Sequence, residues 1–74
     1  MNMAKQIYYH RRRKRKELIR QQCNDMLGAM VGENLIAKWW DSPNRAFDMQ
    51  TPKIVFDKDP DKVYTYLAQH CLGR

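Results

Sequence analysis

Several features that larger or more specialised proteins need are missing from this sequence. Its 74 residues include only three glycines, three prolines and two cysteines, and no glycine-rich phosphate loop or Gly/Ser-rich linker occurs. No run approaches the roughly 18 apolar residues that cross a membrane. A chain of this length holds one small domain, which excludes a TIM barrel, a doubly wound sheet and a two-domain enzyme.

A secretory signal is not expected either. The stretch that would have to be apolar, residues 18–30, is interrupted by five polar or charged residues between positions 20 and 25. Cys23 and Cys71 are too few for a disulfide framework or a metal knuckle. A zinc site could in principle join Cys23 to His10 and His70, but we favour two buried or half-buried thiols in a reducing compartment. We therefore expect a soluble intracellular protein without a cofactor or a metal.

The positive charge is concentrated at one end of the chain. Residues 1–22 contain eight basic residues and one acidic residue, a net charge of +7, whereas residues 23–74 contain six and seven, a net charge of −1. We interpret residues 1–17 as a basic arm that continues into the first helix, and residues 18–74 as a compact helical module. Such asymmetry predicts an acidic partner for the arm, which could be nucleic acid, anionic lipid or an acidic protein surface, and we favour nucleic acid or a protein surface over a membrane.

The arm combines cations that seek phosphates with rings that can stack on bases. If about five of these cations neutralise phosphates, log K should fall with log salt at a slope near −4.5. A solvated, solubilising charge run and a nuclear import signal remain alternatives. The candidate binding residues are Tyr8, Tyr9, His10, Arg11, Arg12, Arg13, Lys14, Arg15, Lys16 and Arg20.

Apolar spacing and turn residues predict an all-α fold, a small bundle of three main helices plus a short helical turn. Gly28 and Gly32 mark the end of the first helix, and Pro43 stops the second. Thr51-Pro52 and Asp59-Pro60 are each typical of a helix start. The predicted helical segments are residues 4–27, 33–41, 52–56 and 60–71.

The same spacing predicts which side chains form the core. Trp39 and Trp40 point about 100° apart on a helix, so we place Trp39 inside and leave Trp40 partly exposed as a contact anchor. Burial of both rings is the alternative. The last helix is expected to bury His70 and Cys71 together with its apolar residues. The predicted core consists of Leu18, Ile19, Met26, Leu27, Ile36, Trp39, Phe47, Val55, Val63 and Leu67.

Little in the sequence favours catalysis. His70 and Cys71 are adjacent on one helix, which is poor geometry for a nucleophile and its base. Asp57, Asp59 and Asp61 alternate like part of a calcium loop, but Pro60 lies between two of them and no glutamate closes the loop. A solvated helix start is the better interpretation, and we expect a non-enzymatic protein.

The second half of the sequence carries a spaced set of residues that forms a recognisable pattern. It runs Val31-Gly32, Trp39-Trp40, Pro43-Asn44, Ala46-Phe47, Thr51-Pro52, Val63, Leu67 and Gly73. This order resembles the toxin-binding domain of Xre/MbcA/ParS-type antitoxins, whose pattern is Trp-Leu, Pro-Asn-x-Ala-Leu, Gly-x-Thr-Pro and a later Val, Leu and Gly. The sequence departs from that pattern in having Met49 and Pro60 where glycines are usual, and in lacking the family's helix-turn-helix domain.

The resemblance implies a helical domain that docks on a larger toxin enzyme in the bacterial cytoplasm. Together with the exposed tryptophan, it makes Trp40, Asn44, Arg45, His70, Gly73 and Arg74 the candidate contact residues. An alternative hypothesis is a phage-encoded regulator that binds host RNA polymerase and alters transcription initiation or termination. A third is a non-specific nucleic-acid-binding protein. The oligomeric state is left open.

Overall fold

Four α-helices build the described part of the chain, which contains no strand. The computed structural model describes the backbone of residues 2–71 and the side chains of residues 14–71. The all-α prediction is confirmed, and the short helical turn predicted at residues 52–56 is the helix α3. The helices are α1 (Asn2–Val31), α2 (Ile36–Asp41), α3 (Pro52–Lys58) and α4 (Pro60–Cys71), and short 3-10 turns occur at Glu33–Leu35 and Arg45–Phe47.

Helix α1 is longer than the predicted segment at both ends. The predicted break at Gly28 is wrong, because Gly28 stays helical and its carbonyl accepts a hydrogen bond from the Gly32 amide at 3.1 Å. The helix ends at Gly32, whose φ of 89° is a conformation that favours glycine. At about 1.5 Å per residue the helix is about 45 Å long, which equals the longest dimension of the molecule, 45 Å.

The core joins one face of α1 to α4 and to the segments between them. On α1 the buried residues are Ile19, Cys23 and Leu27, spaced four apart, and on α4 they are Val63 and Leu67. This spacing places each set on one helix face, so the two faces can close on each other. The other buried residues in the described part of the chain are Trp40, Phe47, Pro52, Val55 and Phe56.

Most of the predicted core is confirmed. Ile19, Leu27, Phe47, Val55, Val63 and Leu67 are buried, and Met26 and Ile36 are half-buried against them. Leu18 is an error: its side chain is 56% exposed, because it lies one residue, about 100°, away from the buried face of α1. His70 is also exposed and Cys71 only half-buried, contrary to expectation.

The two tryptophans have the opposite roles to those predicted. Trp40 is 4% exposed and Trp39 is half-buried. The Trp40 indole Nε1 donates a hydrogen bond to Asn24 Oδ1 at 2.7 Å, and its ring meets Phe56 edge-on at 5.3 Å. Trp39 stacks on Tyr66 of α4 at 6.4 Å. Trp40 is the buried ring because Asn24 of α1 accepts a hydrogen bond from its indole N–H. The spacing of apolar residues in the sequence does not reveal that partner.

The helix starts follow their sequence signals. Thr51 caps α3, accepting a hydrogen bond on Oγ1 from the Ile54 amide at 3.3 Å, and Pro52 occupies the first helical position. Pro60 opens α4 in the same way. Helix α3 continues two residues beyond the predicted end at Phe56, and the stretch between the second and third predicted helical segments contains a 3-10 turn at Arg45–Phe47.

The exchange of roles between the tryptophans gives the first prediction. Trp40→Ala should cost about 3–5 kcal/mol and Trp39→Ala under about 2 kcal/mol, measured by urea unfolding followed by circular dichroism. Trp40→Phe keeps most of the ring volume but leaves the Asn24 amide oxygen without its donor, and should cost about 1–3 kcal/mol. Equal destabilisation by Trp39→Ala and Trp40→Ala would contradict this packing.

Candidate functional site

The cationic binding residues predicted at the N-terminus are only partly within the described side chains. Tyr8, Tyr9, His10, Arg11, Arg12 and Arg13 lie outside them, although their backbone belongs to α1. Lys14, Arg15, Lys16 and Arg20 are described; Lys16 is half-buried and the other three are exposed. The site can therefore be examined from Lys14 onward.

Two of these cations pair with carboxylates of the module. Lys16 Nζ lies 2.9 Å from Asp57 Oδ1 and donates to the Asp57 carbonyl oxygen at 3.2 Å. Arg15 Nη2 lies 3.4 Å from the Asp61 carboxylate. The hydrogen bond from Lys16, assisted by its charge, lowers the pKa of Asp57 below the usual 3.8. The alternating aspartates were interpreted as a solvated helix start. Two of them, Asp57 and Asp61, also form ion pairs with α1.

Two cations also lie over aromatic rings. The Arg20 guanidinium carbon is 5.2 Å from the centre of the Trp40 ring, and Lys16 Nζ is 5.9 Å from the centre of the Phe56 ring. Both distances are within the range in which a cation is attracted to a ring face. The cationic side of α1 therefore packs on the module with its charges held in place.

The candidate protein-contact residues are distributed differently from the prediction. Trp40 is wrong as an exposed anchor because its side chain is in the core. Asn44 is half-buried, and its Oδ1 accepts a hydrogen bond from the Ala46 amide at 2.9 Å, so it caps the Arg45–Phe47 turn. Arg45 and His70 are exposed. The remaining two candidates, Gly73 and Arg74, lie outside the described residues.

The loop of residues 44–50 is tightly closed and carries backbone strain. The Asn44 amide donates to the Gln50 carbonyl at 3.0 Å, and the Met49 amide donates to the Asn44 carbonyl at 2.9 Å. Asp48 and Met49 have φ values of 57° and 67°, the left-handed region that favours glycine. The Met49 side chain is nonetheless 62% exposed. The sequence pattern marked Met49 only as a replacement for glycine. Its exposure on the surface was not predicted.

An aromatic cluster places this loop beside α4. The rings of Phe47 and Tyr66 are 5.2 Å apart, and those of Tyr66 and His70 are 4.2 Å apart. His70 Nδ1 lies 2.8 Å from the Tyr66 carbonyl oxygen. The structure thus links the turn that contains Arg45 to the part of α4 that contains His70. Tyr66 was not among the predicted residues, because its role depends on which helix face meets the loop.

The described side chains offer little for bond-making chemistry. From Lys14 to Cys71, no three His, Cys, Asp or Glu side chains come together as a metal site would require. Burial raises the pKa of Cys23 to about 11, which keeps this thiol protonated and poorly nucleophilic. Cys71 is half-buried and is also a free thiol. Within the described residues, no helix is both long and apolar enough to cross a membrane.

Comparison with known proteins returns no relative. No family model matches the chain, and neither a curated protein nor a solved structure is significantly similar to it.

The Lys16–Asp57 contact predicts a pH-dependent contribution to stability. Because the pKa of Asp57 is lower in the folded state, its contribution is present above the unfolded value and is lost as pH falls through the folded value. Asp57→Asn should therefore lower the melting temperature slightly at neutral pH, and the difference from wild type should disappear in acid below about pH 3.

Asp25→Asn removes a carboxylate that is exposed on α1 and serves as the matched control, with no comparable pH-dependent difference expected. If the melting temperature of Asp57→Asn were still below that of wild type by the same amount at about pH 2, the ion pair would not be the cause of the difference.

Proposed function

We propose that this chain is a small non-enzymatic regulatory protein that binds a larger protein partner through its loop surface. The loop surface consists of Arg45 and Met49 on the 44–50 loop together with Tyr66 and His70 on α4. Its action would be stoichiometric binding that modulates the partner. The observation that carries the proposal is the conformation and exposure of Met49.

Met49 has a strained backbone and an exposed apolar side chain. Both lower the stability of the free protein, and binding of a partner would offset that cost. A left-handed conformation at a residue other than glycine costs about 1 kcal/mol or more, and Met49 has it at φ 67°. Its flexible apolar side chain is 62% exposed, so much of its surface remains available to a partner. Strain of this kind concentrates at binding sites, where a partner's contacts make use of the imposed geometry.

The neighbouring residues support the same surface. Arg45 is exposed on the turn that Asn44 caps, and arginine is enriched where partner contacts contribute most to affinity. Tyr66 and His70 present adjacent rings, with Tyr66 half-buried and His70 exposed. A closed loop beside a short aromatic row gives a partner both apolar area and a positive charge.

The partner that the sequence resemblance favours is a toxin enzyme in the bacterial cytoplasm. In the antitoxin pattern glycine stands at the position of Met49, and the backbone there has the conformation that glycine adopts readily. The burial of Trp40 instead of Trp39 departs from the expected roles of the Trp-Leu pair. Host RNA polymerase, bound by a phage-encoded regulator, is the alternative partner and requires the same kind of stoichiometric contact.

The proposal predicts that stability and binding change in opposite directions at Met49. Met49→Gly should raise the free energy of unfolding by about 1 kcal/mol while weakening partner binding, because it relieves the strain and deletes the exposed side chain. Arg45→Glu should weaken binding without affecting the fold. Affinity capture from bacterial lysate with mass spectrometry, run in parallel on each variant, measures binding, and urea unfolding measures stability.

Leu35→Ala is the matched control, because Leu35 is 49% exposed but lies outside the loop surface. A partner captured equally by wild type, Met49→Gly and Arg45→Glu would overturn the assignment of the surface. Capture of no protein at stoichiometric yield would overturn the proposed function itself.

Binding of nucleic acid by the basic arm is a second candidate, favoured by the continuity of α1. The backbone is helical from Asn2 to Val31, so the tract of residues 10–16 belongs to the same helix whose later turns are held in the core. The ion pairs of Arg15 and Lys16 reduce the number of cations available to phosphates. We therefore count the other four basic residues at positions 11–16 as the phosphate contacts of this proposal.

Phosphate binding by these four residues predicts a slope of log K against log salt of about −3.6 on duplex DNA. Freeing Arg15 and Lys16 with the double variant Asp57→Asn/Asp61→Asn should steepen the slope towards about −5.4. Fluorescence anisotropy with a labelled duplex over a salt series measures both. A binding constant that does not change with salt would exclude phosphate contacts, and an unchanged slope in the double variant would exclude these two cations.

A further inference from the structure

Helix α1 extends well beyond the part of it that contacts the module. Among the described side chains, hydrogen bonds from α1 to the later helices begin at Arg15 and Lys16, and burial begins at Ile19. The backbone, however, is helical from Asn2 onward. At about 1.5 Å per residue, residues 2–14 form about 20 Å of helix upstream of these contacts. Lys14, at the end of this segment, is exposed.

Basic positions surround the helix in the second half of this segment. Every position from 11 to 16 is basic, and successive positions lie about 100° apart around a helix axis. The four positions 11–14 therefore leave no side of the helix without a basic residue. An acidic protein face would contact one side of such a helix and leave about half of these positions in solvent. The arrangement favours a partner that carries negative charge on both sides of the helix.

We propose that residues 2–14 of α1 insert as a helix into the major groove of B-form duplex DNA, with the module outside the groove. An α-helix with its side chains is about 10–12 Å across, and the major groove is about 12 Å wide and about 8.5 Å deep. Phosphates line both edges of the groove, so cations on every side of the helix can reach one. The proposal rests on nucleic-acid binding by the basic arm, the second candidate function, and names the form of nucleic acid.

Other polyanions match this helix less well. The major groove of an A-form RNA duplex is narrow and deep, so it does not admit the helix in the same way. A helix that lies on an anionic bilayer buries an apolar face, and residues 10–16 include no apolar residue. A single strand offers no preformed groove, so its binding does not depend on the helical arrangement of the cations.

The ion pairs with the module set the end of the inserted segment. Arg15 Nη2 lies 3.4 Å from the Asp61 carboxylate, and Lys16 Nζ lies 2.9 Å from Asp57 Oδ1. Both aspartates are exposed, so they repel a phosphate that approaches these two cations. The insertion therefore ends at Lys14, and the charge of the module keeps its own surface away from the DNA backbone.

The first test removes one charge at a time around the helix. Arg11→Gln, Arg12→Gln, Arg13→Gln and Lys14→Gln should each change the slope of log K against log salt from about −3.6 to about −2.7 on a labelled DNA duplex. Fluorescence anisotropy over a salt series measures the slope. Lys38→Gln, which removes an exposed charge on α2, is the matched control and should leave the slope unchanged. Loss confined to one or two of the four variants would indicate contact on one side of the helix and overturn the proposal.

The second test separates charge from helical structure at one position. Arg13→Gln and Arg13→Pro remove the same charge, but only proline breaks the helix. Arg13→Pro should bind the duplex about tenfold or more weakly than Arg13→Gln does, whereas the two variants should bind a labelled single strand equally. Position 13 lies upstream of the core that begins at Ile19, and thermal melting followed by circular dichroism verifies that both variants are folded.

The outcomes distinguish this proposal from the function on which it rests. Equal binding of the duplex by Arg13→Gln and Arg13→Pro would overturn insertion of a helix and leave nucleic-acid binding by the arm in place. Wild type that binds an A-form RNA duplex or a single strand as tightly as the DNA duplex would also overturn it. Binding of none of these nucleic acids would overturn the second candidate function as well.

Discussion

The structure depends on one narrow apolar stripe on α1. Among the side chains of α1 that the structure describes, Ile19, Cys23 and Leu27 are buried, and they contribute to a core shared with Val63 and Leu67 of α4. A chain of 74 residues has little apolar area with which to offset the entropy of folding. The stripe therefore ties α1 to the rest of the core through three residues spaced four apart.

Cations beside this stripe make further contacts between α1 and the module. Lys16 contacts Asp57 and lies over Phe56, and Arg20 lies over Trp40. The charged groups of these side chains lie over aromatic rings, at distances where the ring face attracts a cation. The same contacts place the charges of Lys16 and Arg20 beside the rings of the module.

Sequence patterns predicted the elements whose signals are local. The proline and cap signals at Thr51-Pro52 and Pro60 located the starts of α3 and α4, and spacing placed Val63 and Leu67 in the core. The roles of Trp39 and Trp40 could not be predicted this way, because they depend on Asn24 sixteen residues before Trp40. Adjacent residues on one helix differ by a rotation of about 100°, and only the position of a neighbouring helix decides which of them is buried.

The candidate surfaces were predictable in kind but not in detail. Charge asymmetry indicated a cationic segment, yet it could not show that Asp57 and Asp61 would pair with Lys16 and Arg15, since that pairing spans more than forty residues. The left-handed backbone conformation of Met49 could have been predicted from the family resemblance, because glycine stands at its position in the antitoxin pattern.

The central claim is that the module holds α1 as one helix from its buried stripe into its cationic segment. Native-state hydrogen exchange of the backbone amides tests this most directly. The account predicts continuous protection from Lys16 to Leu27, with the amides near Lys16 losing protection in Asp57→Asn. Protection that begins only after Ile19, and that Asp57→Asn leaves unchanged, would contradict it.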